Sequence, residues 1–106
     1  MQIVRLPSFE RSVKRLKLAD AEIEALVETL ADDPYAGDVI PRSEGVRKVR
    51  FPLGGKGKRG GGRAIYVVVE MRGALFLILA YKKSDKADLT AEEMKRVVRL
   101  VRELKS

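Results

Sequence analysis

The sequence contains no cysteine and no histidine. Without cysteine the chain can form neither a disulfide nor a thiolate metal site, which fits a reducing compartment. Without histidine it lacks the commonest general base and the commonest metal ligand. Any acid–base chemistry must therefore come from lysine, arginine, tyrosine, aspartate or glutamate, and we expect neither a cofactor nor a metal.

Long apolar segments are missing as well. The longest apolar runs are Ala64–Val69 and Ala74–Tyr81, far short of the roughly 20 residues that a helix needs to span a bilayer. The N-terminus has no apolar stretch of the kind that marks a signal peptide. We therefore expect a soluble, cytoplasmic protein with no membrane partner.

Positive charge is present in excess and is concentrated in one segment. The 106 residues carry a net charge of +7, and residues 42–63 alone hold eight basic residues and one acid, Glu44. This basic stretch therefore accounts for the whole net charge. From Gly54 to Gly62 six of nine residues are glycine, which predicts a loop. Glycine lets backbone N–H groups approach a phosphate closely, and a localised basic patch is typical of nucleic-acid binding. A solvated hairpin loop, charged for solubility, is the alternative.

The apolar spacing predicts one α+β domain over residues 1–106, with the order β-α-α-β-β-β-α. The strands are expected at Met1–Leu6, Val46–Phe51, Arg63–Glu70 and Leu75–Tyr81, and the helices from Ser8 as N-cap to Lys17, from Ala19–Asp20 to Asp32, and after Thr90. Thr90 and Glu93 have the spacing of a capping box. We expect a helical hairpin and a C-terminal helix on a small, mainly antiparallel sheet, with the last strand covered on both faces.

The last two strands should form a hairpin, with Met71–Ala74 as its turn. Such a hairpin brings Arg63, where one strand begins, close to Tyr81, Lys82 and Lys83, where the other ends. Neighbouring cations lower the pKa of a lysine, which can then act as a base, whereas arginine stays protonated and can stabilise a pentavalent phosphorane. RNA cleavage by its own 2′-hydroxyl needs only such groups. Tyr66 fits a core position and a site position equally well.

Several of these segments resemble the HigB branch of the RelE-type toxins. The segments that carry the resemblance are Asp33–Ile40, Val46–Arg50, Gly55–Arg63, Ile65–Tyr66 and Leu79–Thr90. The resemblance covers nearly the whole chain. It implies a fold similar to that of microbial ribonucleases and a type II toxin that cuts mRNA in the ribosomal A site. The products would carry a 2′,3′-cyclic phosphate and a 5′-hydroxyl.

The resemblance also implies roles for single residues. Arg63 falls at the phosphate-stabilising arginine and Lys83 at the basic residue that ends the last strand. With Lys58 and Tyr81 they are the candidate catalytic groups, and the identity of the general base stays open. The candidate RNA-binding residues are Arg47, Lys48, Arg50, Lys56, Lys58, Arg59, Lys82 and Lys86.

Two positions depart from the pattern of these toxins. Thr90 stands where RelE proteins carry a tyrosine that stacks on a base, so that stacking role is not expected here. Glu44 places an acid beside the basic stretch, where it would weaken RNA contact.

The implied partners are the 70S ribosome with mRNA and a cognate antitoxin. The antitoxin would be encoded next to the toxin and would carry a helix-turn-helix domain, as HigA-like antitoxins do. Two other functions stay open, because a fold does not dictate a function. One is a ParE-like toxin that poisons DNA gyrase, and the other is a non-catalytic RNA- or ribosome-binding protein.

Overall fold

The computed structural model describes residues 1–54 and 61–106. In this part of the chain the elements follow the order β1 (Gln2–Arg5), α1 (Pro7–Leu16), α2 (Asp20–Asp32), β2 (Asp38–Val39), β3 (Arg47–Phe51), β4 (Gly62–Val69), β5 (Ala74–Lys82) and α3 (Ala91–Lys105). The α+β class and the order of elements are confirmed. The one addition is β2, whose two residues are too short to produce a recognisable alternation of polar and apolar side chains.

The strands described form one sheet in the order β1-β5-β4-β3-β2. β1 runs parallel to β5, and Gln2–Arg5 pair with Ala74–Leu77. The other three pairings are antiparallel, so the expected mainly antiparallel sheet is confirmed. β1 ends at Arg5, and the chain leaves the sheet there to enter α1. The second half of β5 therefore continues beyond its parallel neighbour.

Helices cover both faces of the sheet. α1 and α2 pack on one face through buried side chains that include Phe9 and Leu26. α3 packs on the other face through Val97 and Val101. β5 contributes buried side chains to both cores, as its continuous apolar pattern predicts. Among the described residues, no helix is both long and apolar enough to cross a membrane.

The start of α1 differs from the sequence prediction. Leu6 occupies the N-cap position and Pro7 the first helical turn, so Ser8 lies inside the helix. Proline suits this position because it lacks the N–H that would stay unpaired there. The Ser8 hydroxyl donates a hydrogen bond to the carbonyl of Ile78 in β5 instead. A tertiary acceptor has thus replaced the local capping bond.

The turn between β4 and β5 and the start of α3 both follow the sequence prediction. A short 3-10 helix at Glu70–Arg72 is followed by Gly73 in the left-handed conformation, with φ of 60°. At α3 the backbone N–H of Glu93 donates to Oγ1 of Thr90 (3.1 Å), and the N–H of Thr90 donates to Oε1 of Glu93 (2.9 Å). The capping box is therefore confirmed.

Candidate functional site

Three neighbouring strands bring cationic side chains to one end of the sheet. Arg50 in β3 pairs with Arg63 in β4, and Arg63 pairs in turn with Tyr81 in β5. Residues directly opposite each other share a face, with Cβ atoms about 4.5–5.5 Å apart. Lys83 follows β5, and its backbone N–H donates to the carbonyl of Gly61 at 3.0 Å. The expected placement of Arg63 beside the end of β5 is confirmed.

Gly62 makes this arrangement possible. A Cβ at this position would lie 2.6 Å from the ring of Phe51, which is closer than packed carbon atoms approach. Gly62 is the first residue of β4 and pairs with Phe51 of β3. Because Gly62 has no side chain, the ring of Phe51 can pack directly against it. The register that sets Arg63 beside Arg50 therefore depends on a glycine at the preceding position.

Arg63 lies in a partly enclosed, cationic environment. Only 9% of its surface is exposed, and its Nη1 donates to the carbonyl of Gly62 at 3.0 Å. Arg63, Lys48 and Arg50 line an open pocket of about 260 Å³ together with Asp38. Three cations and one carboxylate make this pocket suitable for an anion. A guanidinium with little exposure to water also acts on a bound phosphate with less screening than a surface charge does.

Tyr81 shares the face of Arg63 but does not present its hydroxyl to the pocket. The side chain is 3% exposed, and its hydroxyl donates to the carbonyl of Ala87 at 3.3 Å. Burial raises the pKa of Tyr81, so the phenol stays protonated at neutral pH. The ammonium of Lys86 lies 5.2 Å from the ring centre. Tyr81 thus anchors the segment that follows β5, and its catalytic role stays a prediction.

Two of the predicted RNA-binding lysines form ion pairs that involve the segment between β5 and α3. Lys48 in β3 pairs with Asp88, and Lys86 pairs with Glu93. Burial alone would raise the pKa of Glu93, but hydrogen bonds from Lys86 and from the backbone of Thr90 bring it below its ordinary value. The two pairs tie the segment between β5 and α3 to the strands and the helix on either side of it.

Arg47 lies on the opposite face of the sheet. It pairs with Tyr66 across the strands, donates from Nη1 to the carbonyl of Gly37 at 2.7 Å, and stacks 4.9 Å above the ring of Tyr35. Tyr66 is fully buried, and its hydroxyl accepts from Gly37 N–H and donates to the carbonyl of Pro34. Arg47 is thus separated from the cationic pocket, and Tyr66 is a core residue.

The remaining predicted RNA-binding residues divide into two groups. Lys82 pairs with Gly62 and, one residue after Tyr81, points to the other face of the sheet. Lys56, Lys58 and Arg59 lie outside the residues that the structure describes.

Acidic residues mark where the sequence interpretation missed contacts. Asp38 lines the cationic pocket and Asp88 holds Lys48, yet both contacts join distant parts of the chain and leave no local pattern. Glu44 does not lie beside the pocket. Its carboxylate contacts Nε of Arg102 at 2.6 Å, and the weakening of RNA contact by Glu44 stays a prediction. In residues 1–54 and 61–106 no three acidic side chains lie close enough to hold a metal ion.

A family model for the RelE toxin of the RelE/RelB toxin–antitoxin system matches residues 1–106. The chain belongs to the RelE toxin family. Its structure is similar to that of the Escherichia coli toxin RelE, solved as a double arginine-to-alanine mutant in the free state. The TM-score is 0.61 at 19% sequence identity, and the match covers 94% of this chain and 96% of that chain. At this identity the likeness shows a shared fold.

Membership in the RelE family establishes the function at the level of the family. The protein is the toxin of a toxin–antitoxin system and a ribosome-dependent endoribonuclease that acts on mRNA. It therefore has an antitoxin as its partner. The family match confirms the resemblance noted in the sequence at the level of RelE, and the HigB branch stays a prediction.

Proposed function

We propose that this RelE-family toxin cleaves mRNA without a metal ion, by attack of a ribose 2′-oxygen on the adjacent phosphorus. The new 2′-O–P bond forms as the P–O5′ bond breaks. A base takes the proton of the 2′-hydroxyl, and an acid supplies a proton to the departing 5′-oxygen. The products carry a 2′,3′-cyclic phosphate and a 5′-hydroxyl, so no water or redox partner is consumed.

Arg63 is the proposed group that stabilises the phosphorane. The observation that carries this assignment is the cross-strand row in which Arg63 lies between Arg50 and Tyr81. A guanidinium stays charged at any physiological pH and presents N–H groups in a plane that matches two phosphate oxygens. Since the side chain is largely buried, its position is set before RNA arrives. That preorganisation is what makes such a group effective in a transition state.

Lys83 is the proposed second catalytic group. Its backbone is tied to Gly61, two residues before Arg63, while its side chain is exposed and free to approach a phosphate in the same pocket. Lys58, in the glycine-rich segment of the sequence, is the other lysine we propose for proton transfer. Lys58 and Lys83 both remain candidates for the general base.

RNA binding is proposed for the cations that surround Arg63 and Lys83. Arg50 is exposed on the same face as Arg63, and Lys48 and Lys86 reach the same end of the sheet through their ion pairs. Lys56 and Arg59 in the glycine-rich segment of the sequence, with Lys82 on the other face, complete the proposed contacts. Arg47 is left out of this set because its guanidinium is committed to Gly37 and Tyr35.

The antitoxin is proposed to be a helix-turn-helix protein encoded next to the toxin, and the complex is proposed to act in the cytoplasm. Inducible expression of the toxin with and without the neighbouring gene tests this assignment. Growth arrest that the neighbouring gene relieves supports it. Growth arrest that persists beside every neighbouring gene contradicts it.

Substitution of the two proposed catalytic groups tests the site. In a cell-free translation reaction, we expect Arg63→Ala and Lys83→Ala each to lower the rate of mRNA cleavage by about 10²-fold or more, as loss of a positioned electrostatic or proton-transfer group does. Lys14→Ala removes an exposed cation from α1 and serves as the matched control. Cleavage at the wild-type rate by the Lys83→Ala protein contradicts the assignment of Lys83.

The product ends test the chemistry independently of the residues. Cleaved mRNA should resist 3′-tailing until a 2′,3′-cyclic phosphatase has treated it, because a cyclic phosphate leaves no free 3′-hydroxyl. Products that accept a tail directly would indicate hydrolysis to a 3′-hydroxyl and contradict the mechanism. In parallel, a DNA-supercoiling reaction with gyrase should proceed unchanged, which separates this function from that of a ParE-like toxin.

A further inference from the structure

Among residues 1–54 and 61–106, no strand covers the outer edge of the second half of β5. β1 ends at Arg5, and α1 takes over its place with polar side chains. Oγ of Ser12 accepts from the N–H of Ala80 at 3.0 Å, and Nη2 of Arg15 donates to the carbonyl of the same residue at 3.4 Å. Together with the bond from Ser8 to Ile78, these contacts occupy the backbone groups of the edge. The N–H and carbonyl of Ala80 and the carbonyl of Ile78 are therefore not available to pair with an added strand.

Outside this sealed edge lies a groove between α1 and α3, with a volume of about 330 Å³. Three of its side chains are arginines: Arg11 and Arg15 from α1, and Arg96 from α3. Arg11 and Arg15 are one helical turn apart and therefore project from the same side of α1. The floor is apolar and includes Leu79 and Val97.

The groove carries a net positive charge. Its one acid is Glu93, whose carboxylate is already paired with Lys86. Arg11 and Arg96 are exposed and have no ion-pair partner in residues 1–54 and 61–106. The apolar floor can hold the aliphatic parts of their side chains while the guanidinium groups point outward.

We propose that this arginine groove binds a phosphate of RNA, at a place separate from the cleavage site. Arginine is suited to the task because its planar N–H groups match two phosphate oxygens. Along β5, Leu79 and Lys83 are four residues apart, about 13 Å. Both sites can therefore contact one ribosome–mRNA particle at the same time. The inference rests on the ribosome-dependent activity of the family, since the ribosome offers RNA phosphates at its surface.

The test is the double variant Arg11→Gln, Arg96→Gln, which keeps polar side chains and removes two charges. Its affinity is measured against 70S ribosomes programmed with an mRNA that carries 2′-O-methyl groups in the A-site codon, over a series of salt concentrations. We expect binding about tenfold weaker at 0.15 M salt. The slope of log K against log salt should fall in magnitude by about 0.7–0.9, because one phosphate contact is lost. Thermal unfolding of the variant checks that the fold is intact.

A second double variant, Arg72→Gln with Lys95→Gln, removes the same charge from exposed positions outside the groove. It should bind nearly as the wild type does. Unchanged binding by the groove variant overturns the proposal, and so does equal weakening by both doubles, which would indicate a general charge effect. Unchanged ribosome binding with lost antitoxin binding would overturn it in favour of an acidic protein segment. Failure of the wild-type protein to cut unmodified mRNA bears on the cleavage chemistry, not on the groove.

Discussion

The hydroxyl of Tyr81 illustrates how burial decides between a chemical and a structural role. A tyrosine between cations looks like a proton donor when only the sequence is known. In the structure its hydroxyl donates to the carbonyl of Ala87, and burial keeps the phenol protonated by raising its pKa. The group therefore holds the segment that begins at Lys83 in place.

Tyr81→Phe separates these two roles. Loss of the hydrogen bond should lower the free energy of unfolding by about 1 kcal/mol, which thermal unfolding measures. The cleavage rate in a translation reaction should stay within about twofold of the wild type, whereas loss of an acid–base group costs about 10²-fold or more. If the Tyr81→Phe variant is stable but its cleavage rate is strongly reduced, the hydroxyl takes part in the reaction.

Glu93 couples the stability of the same segment to pH. Its folded-state pKa lies below the ordinary value, so its pairing stabilises the fold above the unfolded pKa and is lost as pH falls through the folded pKa. Glu93→Gln keeps a side chain that can cap α3 but removes the attraction to Lys86. At pH 7 we expect a loss of about 0.5–1 kcal/mol, and at pH 3 we expect the difference from the wild type to shrink, as measured by thermal unfolding.

Glu92→Gln provides the neighbouring comparison for that experiment. Glu92 lies 3.6 Å from Lys95, and both side chains are mostly exposed. An exposed pair at this spacing contributes only a few tenths of a kcal/mol. A pH-dependent loss as large as that of Glu93→Gln would show that the effect is not specific to the Lys86 pair.

The outer edge of β5 shows how a helix can close a sheet without a strand. Ser12 is the centre of this contact, since its hydroxyl accepts from Ala80 N–H and donates to the carbonyl of Ser8 at 3.2 Å. Ser12→Ala leaves the buried N–H of Ala80 without a partner, which costs about 1–3 kcal/mol. The melting temperature should fall by roughly 4–8 °C for each kcal/mol. Thr29→Ala, which removes an exposed hydroxyl bonded to Ala25, should change it little.

Helices and longer strands were predictable because their side chains repeat along the chain. The burial of Val97 and Val101 follows from their helical spacing in α3, and the burial of β5 follows from its unbroken apolar run. Two features were not predictable. β2 has two residues and no repeat, and the Ser8 hydroxyl bonds to a strand 70 positions away. A local capping rule has no information about that distant acceptor.

The candidate site was predictable where a hairpin fixed the geometry. Arg63 and Lys83 lie at matching ends of β4 and β5, so the hairpin alone places them together. The face on which Arg47 lies was also predictable, because Arg47 alternates with Lys48 along the strand and must face the other way. The arginine groove was not predictable, because Arg11 and Arg96 are 85 positions apart and leave no local pattern in the sequence.

Charge is distributed unevenly along the chain. The basic stretch carries the net charge, whereas residues 20–33, which include α2, hold six acids and no base. α2 packs on the face of the sheet opposite to α3, while Arg63 lies on the α3 face. An approaching polyanion therefore meets attraction on the side of the proposed cleavage site and repulsion along α2. This asymmetry favours one orientation of the toxin on the ribosome before any specific contact is made.

The parallel pairing of β1 with β5 has a consequence for the newly made chain. Gln2 is synthesised well before its partner Ala74, which follows 72 positions later. At about 5–20 residues per second the N-terminal strand waits roughly 4–15 s for its neighbour. Lys83 is made later still, so the proposed site, which needs both Arg63 and Lys83, assembles only after the N-terminal strand has waited for its neighbour.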